Sequence, residues 1–320
     1  MPESERVANA QSEKKEEVKT IEVLFQSIVN TFIEAYGKNA SDEGKKNFNI
    51  LFSQYLKQEV SKHQCQENYN LLILFDNTII IKGDSDRIYR AINNFINKEK
   101  PLLLVLLSRG GEPAPAYLIG KLCQEFCNNK FVVVVPRYAK SAATLIACAA
   151  HEIHMGSLSE LGPIDPQIDK MPALGLKHSI EHIADLANKY PASGEMFARY
   201  LKLTIEPIQI GYYERVAQSA MQYAEKLLST HSNALKSTPA EIAEKLVYGY
   251  KDHGFVIDKG EASDIFGQNI VKGNTPEYAL GNTIYNILSK VEDLADIFRN
   301  IFYFIGSLDS EPDFTMRKGK

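Results

Sequence analysis

Four strand-like runs, LLILF (71–75), TIIIK (78–82), PLLLVLL (101–107) and FVVVV (131–135), follow one another, with helix-like segments after the second and third. A strand that alternates apolar and polar residues buries one face, whereas a run that is apolar throughout must be covered on both. Intervening helices supply that cover and set consecutive strands parallel. The order is strand, strand, helix (DRIYRAINNFI), strand, glycine loop, helix (PAYLIGKLCQEFC), strand, helix (SAATLIACAA) and short strand (EIHMG). This predicts an α/β fold around a mainly parallel sheet. Loops at the carboxyl ends of such strands share one side, so SRGGEP (108–113) and RYAKS (137–141) are expected to line one cleft.

The flanks differ from this core. Residues 1–18 are polar with charges of both signs and are predicted to be a disordered tail, and 19–64 a helical extension. Within it Ile21, Leu24, Phe25, Ile28, Phe32 and Tyr36 recur at helical spacing up to Gly37, and a second helix is expected from about Lys45 to Val60. Residues 65–270 form the core domain, in which Thr238-Pro239-Ala240-Glu241 starts a helix with a capping box. For 271–320, Ile284, Ile287, Val291, Leu294, Phe298, Ile301 and Ile305 predict one long C-terminal helix.

Charge and cysteine usage narrow the function classes. Lys and Arg total 36 against 40 Asp and Glu, a net charge of -4, so no basic field recruits nucleic acid or anionic lipid. No apolar run spans roughly 30 Å of hydrocarbon, and no signal-peptide h-region follows the polar start. A cytoplasmic, soluble protein without membrane insertion is expected. Cys65, Cys123, Cys127 and Cys148 lack zinc-type spacing and read as reduced core residues. His151 and His154 have no third ligand at fixed spacing, and His253 in DHGFVID is assigned a structural role. No metal or cofactor is expected.

The chemistry concentrates at Ser141, between FVVVVP and an alanine-rich helix. Serine is a preferred N-cap, and a serine so placed is by itself more often a cap than a nucleophile. Acyl transfer needs a hydroxyl on a strained strand-to-helix turn with small neighbours, here Ala139 and Ala143, a relaxed form of the G-x-S-x-G elbow. One geometry suits both roles. The Ala142 N–H would face a developing oxyanion, and Gly110 or Gly111 would supply a second donor. An extended peptide is expected to pair with the loop edge beside Glu112 and Pro113.

LLSRGGEPAPAYLIGKLC, VVVVPRYAKSAATLIACAAHEIHMG and SELGPIDPQI together resemble the serine dehydrogenase proteinase family, distant relatives of signal peptide peptidase A and the Clp protease proteolytic subunit. The resemblance is close over about residues 70–170, weaker over 245–267 and absent from the N-terminal helices. It implies the Clp/crotonase fold, a right-handed spiral of strand-strand-helix turns, and assembly into a homo-oligomer. It also implies serine peptidase chemistry on extended or unfolded polypeptide, with Ser141 as nucleophile and Gly111 and Ala142 as oxyanion donors. The Clp subunit has its histidine base about where Asp165 falls here, and aspartate is a poor base for a serine at neutral pH. Asp165 is therefore expected to orient a loop or the base. Signal peptide peptidase A uses a lysine beyond the serine, and this chain offers, in order, Lys189, His182 and Lys177, with His178 beside the last. A Clp-like scaffold without a base, or a crotonase-type acyl-CoA enzyme, is the alternative.

Overall fold

Backbone pairing and apolar burial organise the chain much as the runs of its sequence require. In the computed structural model, which describes residues 26–38, 40–168, 171–204 and 207–317, the elements begin with α1 (26–36) and α2 (Asp42–Ser61). The core then runs through β1 (Asn70–Asp76), α3 (Lys82–Asn93), β2 (Leu102–Ser108), α4 (Pro113–Glu125), β3 (Phe131–Val135), β4 (Tyr138–Ala139), α5 (Ala142–Ala147), β5 (Glu152–Met155) and β6 (Glu160–Leu161). A short hairpin, β7 (Gln167–Ile168) with β8 (Met171–Pro172), leads to α6 (Ala173–Lys189), α7 (Gly194–Thr204) and α8 (Pro207–Leu228). There follow α9 (Pro239–Tyr248), α10 (Lys259–Phe266), β9 (Val271–Lys272), α11 (Pro276–Ile297), β10 (Asn300–Gly306) and β11 (Asp313–Met316).

The described residues form two compact units. One comprises those of Met1–Gln64, Thr283–Phe304 and Leu308–Lys320. Its core is aromatic: the fully buried Phe32 meets Phe48 and Phe314 at ring-centroid distances of 5.3 and 5.5 Å, and Phe48 stacks on Phe52. The other unit, Cys65–Asn282 with Ile305–Ser307, holds the parallel strands.

In that larger unit β1, β2, β3, β5 and β9 lie side by side, all parallel, with β1 paired to β2 from Asn70↔Leu102 to Asp76↔Ser108. Every residue of β1, β2 and β3 is buried, the two-face burial that their continuous apolar runs predict. Beyond the carboxyl ends a second layer of short pairings forms. Ile80 bridges Gly111, Ser108 pairs with Ala139, β4 pairs with β6, and Leu161 bridges Ile257. Three successive turns thus repeat strand, short strand, helix: β1, Ile80, α3; then β2, Gly111, α4; then β3, β4, α5. This is the α/β architecture expected of the chain. The capping box forms at α9, where Thr238 Oγ1 accepts the Glu241 N–H.

Two element readings are corrected. TIIIK is no strand beyond the single bridge at Ile80, because Asp84 accepts the Ile81 N–H at 2.8 Å and starts α3 at Lys82, ahead of DRIYRAINNFI. The C-terminal apolar repeat is not one helix either: α11 stops at Ile297, Arg299 turns the chain at φ 57°, and Ile301 and Ile305 belong to β10. NIFYFIG is aromatic and β-branched, and its first residues alternate in burial as strand residues do. Ile21, Leu24 and Phe25, like the 1–18 tail, lie outside the described residues. Among the described residues no helix is long and apolar enough to cross a membrane. Cys123, Cys127 and Cys148 are buried free thiols, and Cys65 is half-buried.

His151 and the buried His231 face each other with ring centroids 5.3 Å apart, and His151 Nδ1 accepts the Phe131 N–H at 3.0 Å. Burial lowers the pKa of both rings, and the neighbouring His151 adds to the effect on His231, which drops to about 4. Because the unfolded ring binds its proton near 6.5, stability is full above that pH and is lost as pH falls towards 4. His231 should account for up to about 3 kcal/mol of this loss. Urea unfolding followed by tyrosine fluorescence is expected to show a flatter stability curve between pH 6.5 and 4 for His231→Gln than for the wild type. Parallel curves would contradict the assignment.

Candidate active site

The turn from β4 into α5 places Ser141 at φ 50°, ψ −115°. This region is open to glycine and costly for any residue with a Cβ, on the order of 1–3 kcal/mol. The hydroxyl makes no capping hydrogen bond to α5. The expectation that one geometry serves cap and nucleophile is corrected: the half-buried Ser141 occupies the N-cap position without capping through its side chain. The helix is instead started by backbone bonds, Ala143 N–H to Lys140 O at 2.9 Å and Leu145 N–H to Ser141 O at 3.1 Å.

The diglycine loop closes over this turn. Gly110 has φ 100°, and a Cβ there would lie 2.7 Å from Lys140 O and 3.0 Å from both Ala142 N and Ser141 Cβ. Only glycine lets the two loops touch. Gly110 N–H donates to the buried Ser108 Oγ at 3.1 Å, and its carbonyl accepts the Ile80 N–H at 2.9 Å. Glu112 N–H donates to Ile80 O at 2.9 Å, so the chain's own Ile80 fills the loop edge beside Glu112 where an incoming peptide was expected to pair. A residue bridged in this way turns its own N–H and C=O to the opposite side. For Gly111 that leaves the N–H without a hydrogen bond among the described residues.

A third segment, Gly162 to Asp165, completes the surroundings. Gly162 N–H donates to Ala139 O at 3.2 Å, and a Cβ at Gly162 would strike Lys140 Cδ at 2.6 Å. Lys140 is spent on structure: its Nζ pairs with Glu160 Oε1 at 3.1 Å and approaches the carbonyls of Leu161 (3.3 Å) and Phe255 (3.5 Å). The buried Asp165 directs Oδ2 at His253 Nδ1, 3.6 Å away, and among the described residues neither Asp165 Oδ1 nor His253 Nδ1 has a hydrogen-bond partner. The gap is slightly longer than a hydrogen bond. An Asx turn displays the histidine, with Gly254 N–H donating to Asp252 Oδ1 at 2.9 Å.

The site residues read from the sequence fall into two groups. Gly110 meets Ser141 and Ala142 directly, Gly111 is the next residue in the same loop, and the Asp165 loop touches the residue before Ser141. Lys189 and His182 lie on exposed positions of α6, a helix packed on α7, α8 and β8, while α5 packs on α4, β2 and β4. The Lys189 ammonium rests over the Tyr190 ring at 5.5 Å, and His178 is exposed on the same helix. The side chain of Lys177 is outside the described residues. His253, assigned a structural role from the sequence, is the histidine that faces Asp165. Only the turn residues of DHG hinted that it is displayed. Among the described residues no three His, Cys, Asp or Glu side chains gather as a metal site; His154 is bonded to Thr275 and Glu152 instead.

Residues 56–189 match the family of ClpP-like SDH-type serine proteinases. Two uncharacterized proteins of Methanocaldococcus jannaschii are similar to the chain. One is 39% identical over 98 residues, 31% of this chain and 34% of the relative, and the other 28% identical over 183 residues, 57% and 56%. The chain thus spans between a third and somewhat over half the length of these relatives. Among solved structures, a mutant of the 1510-N membrane-bound stomatin-specific protease aligns with a TM-score of 0.42 at 15% identity, covering 70% of this chain and 84% of that one. A second mutant, in complex with a substrate peptide, aligns with a TM-score of 0.40 at 14% identity, covering 64% and 76%.

The backbone at Ser141 is testable without any substrate. Ser141→Gly releases the positive-φ strain that Ser141→Ala retains, partly offset by the entropy of an added glycine. Ser141→Gly is expected to be the more stable of the two by about 1 kcal/mol in denaturant melts. If Ser141→Ala is equally stable, the turn is not strained.

Proposed function

With residues 56–189 aligned to the ClpP-like SDH-type serine proteinases as the premise, we propose that the chain is a serine peptidase acting on extended or unfolded polypeptide. The observation that carries this reading is the Ser141 turn: a hydroxyl at φ 50° that does not cap its own helix, beside a glycine pair that only fits because it has no side chains. A structural cap would have neither property.

In this reading Ser141 Oγ attacks the scissile carbonyl carbon while His253 Nε2 takes the hydroxyl proton. Asp165 stabilises the imidazolium through Nδ1, a division of labour in which each group does what its chemistry allows. The carbonyl oxygen, now an oxyanion, accepts the N–H groups of Gly111 and Ala142, neither of which has a competing partner among the described residues. The proton passes to the leaving amine, the C–N bond breaks, and an acyl-enzyme remains on Ser141. Water then attacks that ester with His253 again as base, releasing the acid and restoring the hydroxyl. No cofactor enters.

Lys189 and His182 rank behind His253 as base. A lysine base works from a desolvated pocket, and both residues are exposed on α6. Support for an unfolded substrate comes from the margins of the second layer, where Ile79 and Ile81 flank the Gly111 partner and Phe255 and Val256 precede the Leu161 partner, all exposed. Apolar side chains of an extended peptide would cover them. Homo-oligomeric assembly, implied by the resemblance, belongs to the same proposal and is read by light scattering.

Ser141→Ala is expected to abolish hydrolysis of an unfolded protein such as reduced casein and covalent labelling by a fluorophosphonate. His253→Gln should lower kcat by about 10²–10⁴-fold with little change in KM, whereas Lys189→Ala should leave kcat near wild type. Labelling that persists in Ser141→Ala would dismiss the nucleophile. A wild-type protein inert to the probe from pH 7 to 9 would favour a scaffold.

A further inference from the structure

Thr144 is one helical turn beyond Ser141, points inward, and is completely buried. Its Oγ1 lies 2.7 Å from Ala139 O, 2.7 Å from Gly162 O and 3.2 Å from Gly162 N. A hydroxyl has one proton and two lone pairs, so it can accept the Gly162 N–H while donating to either carbonyl in turn. The two carbonyls belong to different segments: Ala139 ends β4 just before the Ser141 turn, and Gly162 opens the loop that carries Asp165. A hydroxyl buried between them, where water cannot replace it, ties both to the nucleophile helix.

We propose that Thr144 is a positioning residue for the reaction, setting the separation between Ser141 and the Asp165–His253 pair through its bonds to Ala139 and Gly162. The inference rests on the peptidase reading above. Thr144 is the one polar side chain of α5, and its hydroxyl is the side-chain group of that helix that bonds the loop. Other ties join the loop to β4 and the residue after it: the pairing of β4 with β6, Lys140 with Glu160 and Leu161, and the Gly162 N–H with Ala139 O. Without the Thr144 hydroxyl, two buried carbonyls lose their shared donor, and the loop can relax by a few tenths of an ångström. That shift is enough to misalign a proton transfer without emptying the substrate site.

The test compares Thr144→Ser, Thr144→Val and Thr144→Ala in the full chain, with kcat and KM on an unfolded substrate and fluorophosphonate labelling rates across pH 5–9. Thr144→Ser keeps the hydroxyl and should stay within about twofold of wild type. Thr144→Val should lose at least tenfold in kcat and in labelling rate with KM within about twofold, and Thr144→Ala gives the same readout if valine cannot be accommodated. In a His253→Gln background, where proton transfer is already lost, Thr144→Val should slow labelling no further. The inference is overturned if Thr144→Val and Thr144→Ala keep wild-type kcat, if Thr144→Ser is as impaired as they are, or if the Thr144→Val loss adds in full to that of His253→Gln. The peptidase reading fails separately, by hydrolysis or labelling that survives Ser141→Ala.

Discussion

Parallel pairing of β1, β2 and β3, each buried along its whole length, is the constraint from which the site follows. Parallel strands leave the sheet at the same edge, so the segments after them must emerge side by side. Ile80, Gly110–Gly111 and the Ser141 turn are those three segments. Their short pairings with one another and with β6 form a second layer that the helices could not supply, because helices cover the faces of a sheet and not its end. A helix inserted between β2 and β3 in any other sense would separate the diglycine from the serine.

Within that layer the contacts are close enough to exclude side chains. Gly110 against Lys140 and Ala142 and Gly111 against Ile80 are backbone approaches in which a Cβ would collide, and at Gly162 a Cβ would strike the Lys140 side chain. The strain at Ser141 is held by this packing and by the two backbone bonds that start α5. α5 has six residues, so the positive potential at its N-terminus comes from individual N–H groups more than from a long dipole. The polar groups nearby are mostly committed: Ser108 to Gly110, Lys140 to Glu160, Thr144 to Gly162. Among the described residues the uncommitted ones are the Ser141 hydroxyl, the Gly111 N–H, Asp165 Oδ1 and His253 Nδ1.

The failures of sequence pattern were of two kinds. TIIIK has strand composition, yet the carboxylate of Asp84 and the turn bonds of Thr78 to Asp76 compete for its backbone and win, leaving one bridge. The apolar spacing that continues from α11 into β10 satisfies a helix and a strand equally for a few residues, and the positive φ of Arg299 decides between them. His253 failed differently. Its own neighbourhood, DHG, says only that it sits on a turn, and its partner Asp165 is far away in sequence.

The sequence by itself determined the buried parallel strands, the elbow serine with small neighbours and the diglycine after β2, because each depends on local spacing or on the steric freedom of one residue type. It also determined that α9 starts at Thr238, since a capping box is complete within four residues. Tertiary structure alone decided which edge of the Gly111 loop stays open, where the helical C-terminal run becomes a strand, and which histidine meets Asp165. Those outcomes turn on which backbone donors and acceptors are already taken by chain segments distant in sequence, and no local pattern records that.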